Sequence, residues 1–135
     1  MKPIVLDTNI LIDFCQNPSA HRRTDIALFE QMLIPTVVLG EFKAGIFATR
    51  RGEESVKRLQ QLIEYTSVKV VPVTERTAEM YAKVYQALRA QGRPIPQNDM
   101  WIAASALEHG ADIATHDEHF KLVPMLTVIL PDVVL

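Results

Sequence analysis

Residues 3–6, Pro3-Ile4-Val5-Leu6, form an unbroken apolar run that stops abruptly on an acid, Asp7. A strand with no polar alternation has no face left for water, so it must lie inside a sheet covered on both sides. Similar β-rich runs recur at 34–39 (with Val37 and Val38), 68–73, 112–115 and 126–130. Between them the apolar spacing changes to that of helices, at 9–16, 20–32, 40–50, 53–65, 75–91 and 98–109. Thr74 is suited to cap the helix that follows it, with Ala78, Tyr81, Ala82, Tyr85 and Leu88 as its apolar stripe, and Gly92, Pro94 and Pro96 end it. Gly110 stops the last helix. Strands alternating with helices predict an α/β fold: a parallel, five-stranded sheet flanked by helices on both faces. The 135 residues, 48% of them hydrophobic, suit one domain spanning 1–135.

Sheets of this kind place their ligands just outside the carboxyl ends of the strands. Four acids fall there. Asp7 follows the first strand, Glu41 the second and Asp117 the fourth, while Asp99 opens the helix that leads into the fourth. Each alone has an ordinary explanation as a helix cap, a first-turn acid or a turn acid. Together on one rim they repel one another and raise each other's pKa, a cost that a divalent cation removes. Carboxylate oxygens are natural ligands of Mg²⁺, with Mn²⁺ an alternative, and a cation among carboxylates points to phosphate chemistry. Water activated in this way would attack phosphorus in line and leave a 5′-phosphate and a 3′-hydroxyl, with no Ser, Cys or His nucleophile.

Charge adds a second hint. The formal net charge is -2, yet residues 42–58 hold five bases (Lys43, Arg50, Arg51, Lys57, Arg58) and two acids, whereas 97–135 hold six acids and one base. A basic segment beside an acidic pocket suits a polyanion held against cations, although a solvated helix face is the ordinary reading. Arg22 and Arg23 allow the same two readings. Phe42, Ile46 and Phe47 form either core or part of a groove for a partner helix. His116 and His119 form an H-x-x-H without the further ligands of a zinc site, and are expected to face solvent or substrate. Trp101 reads as core, and Ala103, Ala104, Ser105 and Ala106 as the close-packing side of the last helix. The lone Cys15, in an apolar stretch, reads as a buried thiol in a reducing, cytoplasmic setting. No apolar run approaches the ~20 residues of a membrane span, and the opening run meets an acid too soon for a secretion signal.

The segments Val5-Leu6-Asp7-Thr8-Asn9, Gly40-Glu41, Asn98-Asp99-Met100-Trp101-Ile102-Ala103-Ala104 and Thr115-His116-Asp117-Glu118-His119-Phe120 resemble, in order and spacing, those of PIN-domain nucleases. Within that family the VapC-type toxins of bacterial toxin–antitoxin pairs are the best match. The resemblance implies a Mg²⁺-dependent endoribonuclease, toxic unless neutralised by a small VapB-like antitoxin, frequently a homodimer, with tRNA or ribosomal RNA as substrate. It assigns Asp7, Glu41, Asp99 and Asp117 as metal ligands, the last at a position where the family also carries Asn. Thr8, Asn9 and Thr115 match positions that orient the acids or contact phosphate, and Asp13 matches a commonly acidic position outside the ligand set. A PIN-type nuclease of RNA processing or DNA repair, without an antitoxin, would carry the same segments. A phospho-receiver module would need an Asp after the third strand, where Val73-Thr74 stands, and an aspartyl phosphatase would need Asp-x-Asp where this chain has Asp7-Thr8-Asn9.

Overall fold

The structure is a computed structural model that describes residues 2–16, 31–47 and 49–131. Five parallel strands form one sheet in the order β3-β2-β1-β4-β5. They are β1 (Ile4–Leu6), β2 (Met32–Pro35), β3 (Val68–Val71), β4 (Asp112–Ala114) and β5 (Val128–Ile129). The described helices are α1 (Thr8–Gln16), α2 (Thr36–Ile46), α3 (Gly52–Glu64), α4 (Glu75–Gln91) and α5 (Gln97–Glu108), and a 3-10 turn spans Glu118–Leu122. Helices flank the sheet on both faces. The unbroken apolar run is the central strand: Ile4, Val5 and Leu6 are wholly buried between β2 and β4. After β3 the chain crosses to the far side of β1, so the strand order reverses between β1 and β4.

The second strand is shorter than residues 34–39. It ends at Pro35, and Val37 and Val38 lie in α2, which replaces the expected helix at 40–50. Val38, Phe42 and Ile46 recur at intervals of four and are the buried face of α2. Packing of that face overrides the β preference of the two valines. Glu41 therefore stands in the second turn of a helix, not just beyond a strand. Phe42 and Ile46 are core, while Phe47 is 89% exposed. Most of the helix expected at 20–32, with Arg22 and Arg23, lies outside the described residues, and Met32 itself is in β2.

Helix α4 also differs from its expected stripe. Thr77, Val84 and Leu88 are buried, whereas Ala78, Ala82 and Tyr85 are exposed. The cause is the helix it lies against. Glu108 of α5 accepts from Thr77 Oγ1 at 2.6 Å and from Thr74 Oγ1 at 3.0 Å, which draws that face inward. The Thr74 cap is present, with its hydroxyl accepting from the Thr77 amide. Trp101 is half-buried rather than core, stacked on Tyr81 with ring centroids 4.1 Å apart. Cys15 is buried, which pushes its thiol up to about 11 and leaves it unreactive. Arg58 leaves the basic run to donate to the Cys15 carbonyl at 2.7 Å, joining α3 to the end of α1. No helix of the described residues is long and apolar enough to cross a membrane.

Helix α5 is the element that sets the depth of the site, because its small residues let it settle into the core. Ala103, Ala104 and Ala106 are wholly buried and Ser105 is nearly so. Gly110, at φ 61, turns the chain left-handed, and the Ala111 amide closes back on Ala106 O at 2.9 Å before β4 starts. Ala103→Leu should overpack this contact and lower stability by about 1–3 kcal/mol. Urea unfolding would show a lower midpoint at unchanged slope; an unchanged midpoint would mean that the helix has slack against the core.

Candidate active site

The site is built outward from Asp7. The residue is 5% exposed at the carboxyl end of β1, and its amide donates to Ala114 O at 3.0 Å. Its carbonyl accepts from Ile10 and Leu11, so its backbone does start α1 as a cap residue would. The side chain has other partners. Oδ1 accepts from the Thr8 amide at 2.8 Å, and Oδ2 accepts from Thr115 Oγ1 at 2.6 Å and Asn9 Nδ2 at 3.3 Å. Thr115, wholly buried just past β4, also accepts from the Asp117 amide at 2.9 Å. One hydroxyl thus couples the ends of the two strands at which the sheet order reverses.

Glu41 reaches the same place from α2. Thr8 Oγ1 donates to its Oε1 at 2.8 Å, and Asn98 Nδ2 donates to Oε2. Residue type alone does not reveal the role of Asn98, which depends on where Glu41 lies in space. Asp117 does what a turn acid ordinarily does, accepting from the His119 amide at 2.9 Å, and it faces His119 Nδ1 at 2.9 Å as well. Asp99 does not behave as a cap. Pro96 holds the cap position of α5, Asp99 is the third helical residue, and its carboxylate has no hydrogen-bond partner among the described residues.

The electrostatics tie the four together. Burial raises the pKa of Asp7, against the hydrogen bonds of Thr115 and Thr8, with Glu41 and Asp117 raising it further. Asp99 is pushed up to about 6 by burial and then by the charges of Asp7, Asp117 and Glu41, with His119 opposing. Carboxylates that perturb one another in this way share one pocket. They are not closed on one another: among the described residues no three His, Cys, Asp or Glu side chains are gathered as a finished ligand cage. The donor set is all oxygen and strongly anionic, the chemistry that a hard divalent cation fits. The histidines do not form a zinc pair, because each turns to a different acid: His116 Nε2 lies 2.7 Å from Asp13 Oδ2, and His119 faces Asp117.

The PIN domain family model matches residues 4–125 of this sequence. The chain belongs to the PIN-domain family. Over 116 residues it is 32% identical to Ribonuclease VapC1 of Haemophilus influenzae strain R2866, covering 84% of this chain and 85% of that one. It is 32% identical over 117 residues to Ribonuclease VapC5 of Mycobacterium tuberculosis, covering 86% and 84%. The solved structure of VapBC-1 from nontypeable Haemophilus influenzae matches with a TM-score of 0.76 at 30% identity, over 94% of this chain and 96% of that one. VapBC2 from Rickettsia felis, solved bound to a promoter DNA fragment, has the same fold, with a TM-score of 0.82 at 22% identity over 96% and 99%.

The raised pKa of Asp99 gives this PIN domain a pH signature without added metal. The folded state holds that proton more tightly than the unfolded state, whose Asp titrates near its ordinary 3.8. Stability is therefore greatest below that value and is lost as pH rises toward about 6. Solvent at the half-buried carboxylate screens the effect to about 1 kcal/mol. In EDTA, Tm should fall by a few degrees from acid to neutral pH, and Asp99→Asn should lessen that fall to the part the raised Asp7 contributes and raise Tm at neutral pH. A flat parental profile would mean that neither burial nor the neighbouring acids hold the Asp99 proton.

Proposed function

We propose that this PIN domain, residues 1–135, is a divalent-metal-dependent endoribonuclease and the toxin half of a pair completed by a VapB-like antitoxin. The carrying observation is electrostatic. Burial and then the charges of Glu41 and Asp117 raise the pKa of Asp7, burial and then the charges of Asp7, Asp117 and Glu41 raise that of Asp99, and Asp99 has no hydrogen-bond partner among the described residues. A pocket that is unfavourable for its own charges is one made to hold a cation. Asp7, Glu41, Asp99 and Asp117 would hold it, and their oxygen-only chemistry favours Mg²⁺ or Mn²⁺. When bound, the cation supplies Lewis acidity, offsetting phosphoryl charge and lowering the pKa of water.

The remaining work falls to the chain. The Thr115 hydroxyl and the Thr8 amide take one lone pair from each Asp7 oxygen and so fix the carboxylate's orientation. Thr8 and Asn98 fix Glu41 from both sides. Asn9 ties the β4 loop to α1, its amide donating to Asp7 and its oxygen accepting from the His116 amide at 3.2 Å. Asn98, His116 and His119 are exposed at this rim. RNA is the substrate we infer, because the curated relatives are named ribonucleases. The partner is inferred from structural neighbours that are VapBC complexes. A homodimer and a cytoplasmic location are proposed with it.

Purified protein should cleave RNA with Mg²⁺ and not in EDTA, leaving 5′-phosphate ends. Asp7→Asn and Asp99→Asn should each lower the rate by at least about a hundredfold while the far-UV spectrum is unchanged. Full cleavage in EDTA, or full activity in both variants, would sink the metal site. Thr115→Val, which keeps the shape and removes the hydroxyl that holds Asp7, should weaken Mn²⁺ binding by about 10–100-fold. Titration calorimetry reads that directly, and parental affinity would mean that Thr115 serves only the fold.

A further inference from the structure

A hollow of about 290 Å³ opens where the end of α4 meets the start of α5, lined by Tyr85, Arg89, Arg93, Pro94 and Met100 among others, with no acid in its wall. Two observations connect its walls to elements of the candidate active site. Met100 directly follows Asp99. Gln91, in the last turn of α4, donates to Leu122 O at 3.2 Å, joining this end of the helix to the 3-10 turn that Asp117 opens. The chain between α4 and α5 is fixed: Gly92 turns left-handed at φ 63, the Arg93 amide closes onto Leu88 O at 3.1 Å, and Ile95 is buried. Arg93 is thereby folded back into the same wall as Arg89.

The two arginines form no ion pair among the described residues. Arg89 in the last helical turn and Arg93 just past the Gly92 cap both stand at the negative end of the helix dipole, so the fold gathers two cations at this one place. Tyr85 is 45% exposed beside them, where the sequence pattern placed it in the core. Cationic forks next to an accessible aromatic ring are the parts of a nucleotide subsite: guanidinium groups hold phosphate in a bidentate way, and a ring face accepts any base. The volume is at the small end of ligand pockets, which suits one nucleotide unit of a single strand and not a duplex.

We propose that this hollow is a substrate subsite, in which Arg89 and Arg93 hold a phosphate of single-stranded RNA flanking the bond to be cut, with Tyr85 against its base. The proposal rests on the ribonuclease reading above. It would make the acidic pocket the place of cleavage and the arginine hollow a place of affinity, so that a net-negative protein can hold a polyanion.

The test is anisotropy of a labelled single-stranded RNA of about twelve nucleotides, with Ca²⁺ replacing Mg²⁺ to suppress cleavage, at KCl from about 50 to about 300 mM. Arg89→Ala and Arg93→Ala should each weaken binding about fivefold and flatten the slope of log K against log salt by about 0.7. Lys83→Ala, in a hollow lined also by Lys2 and Gly110 rather than by residues of this rim, should change neither. Arg→Lys at either position should restore the slope and only part of the affinity, since a point charge lacks the fork. Under cleavage conditions the Arg→Ala variants should raise KM and leave kcat unchanged, with a dinucleotide substrate unaffected. Parental affinity and slope in both Arg→Ala variants, while Asp7→Asn abolishes cleavage, would overturn the subsite and leave the nuclease reading intact. Unchanged RNA binding with weakened self-association would assign the hollow to a protein contact and overturn the proposal. A parent protein that neither binds nor cuts RNA would overturn both readings.

Discussion

The parallel pairing of β1 with β4 is the contact on which the rest of the site depends. It sets Ile4 against Asp112, Val5 against Ile113 and Leu6 against Ala114. The next residues on each strand are then Asp7 and Thr115, and the hydroxyl of one donates to the carboxylate of the other at 2.6 Å. A slip of one residue would turn every side chain of β4 to the opposite face and remove Thr115 from Asp7. The wholly buried β1 makes such a slip costly, because its neighbours on both sides are fixed by apolar contact.

Around that pair the chain concentrates like charge, which works against folding. Burial and the neighbouring acids raise Asp7 and Asp99 together, so the pocket disfavours its own ionised state. The surrounding hydrogen bonds offset part of this by directing donors at Asp7 and Glu41 from Thr8, Asn98 and Thr115. Asp99 receives none among the described residues. Gathering like charge costs stability, a common property of functional sites, and the buried small residues of α5 pack against the core behind the rim.

Much of this was legible in residue order. The alternation of short apolar runs with helical spacing gave the parallel sheet, and the acids after strand ends gave the rim. Glu41 was placed correctly on that rim but for the wrong local reason, since Val37 and Val38 look like strand until Phe42 and Ile46 are seen to share their helix face with Val38. Tyr85 looked like core because a helical stripe shows period but not direction. Only the seat of α4 against Glu108 turns Thr77 inward and Tyr85 outward. Asn98 left no signal of its own, as its role depends on where Glu41 lies, 57 residues away in the chain.

The sequence by itself determined the layer architecture, the buried central strand and the burial of the thiol, and it singled out the four acids proposed as ligands. These follow from local hydrophobic period and from residue chemistry, which need no knowledge of neighbours in space. Tertiary structure alone decided which acid is held and which has no hydrogen bond among the described residues, which histidine faces which carboxylate, and that two arginines and a tyrosine line one hollow where α4 meets α5. The physical reason is the same in each case. Distances across a sheet and between packed helices set hydrogen bonds and pKa values, and those distances are fixed by strand register and helix direction rather than by spacing along the chain.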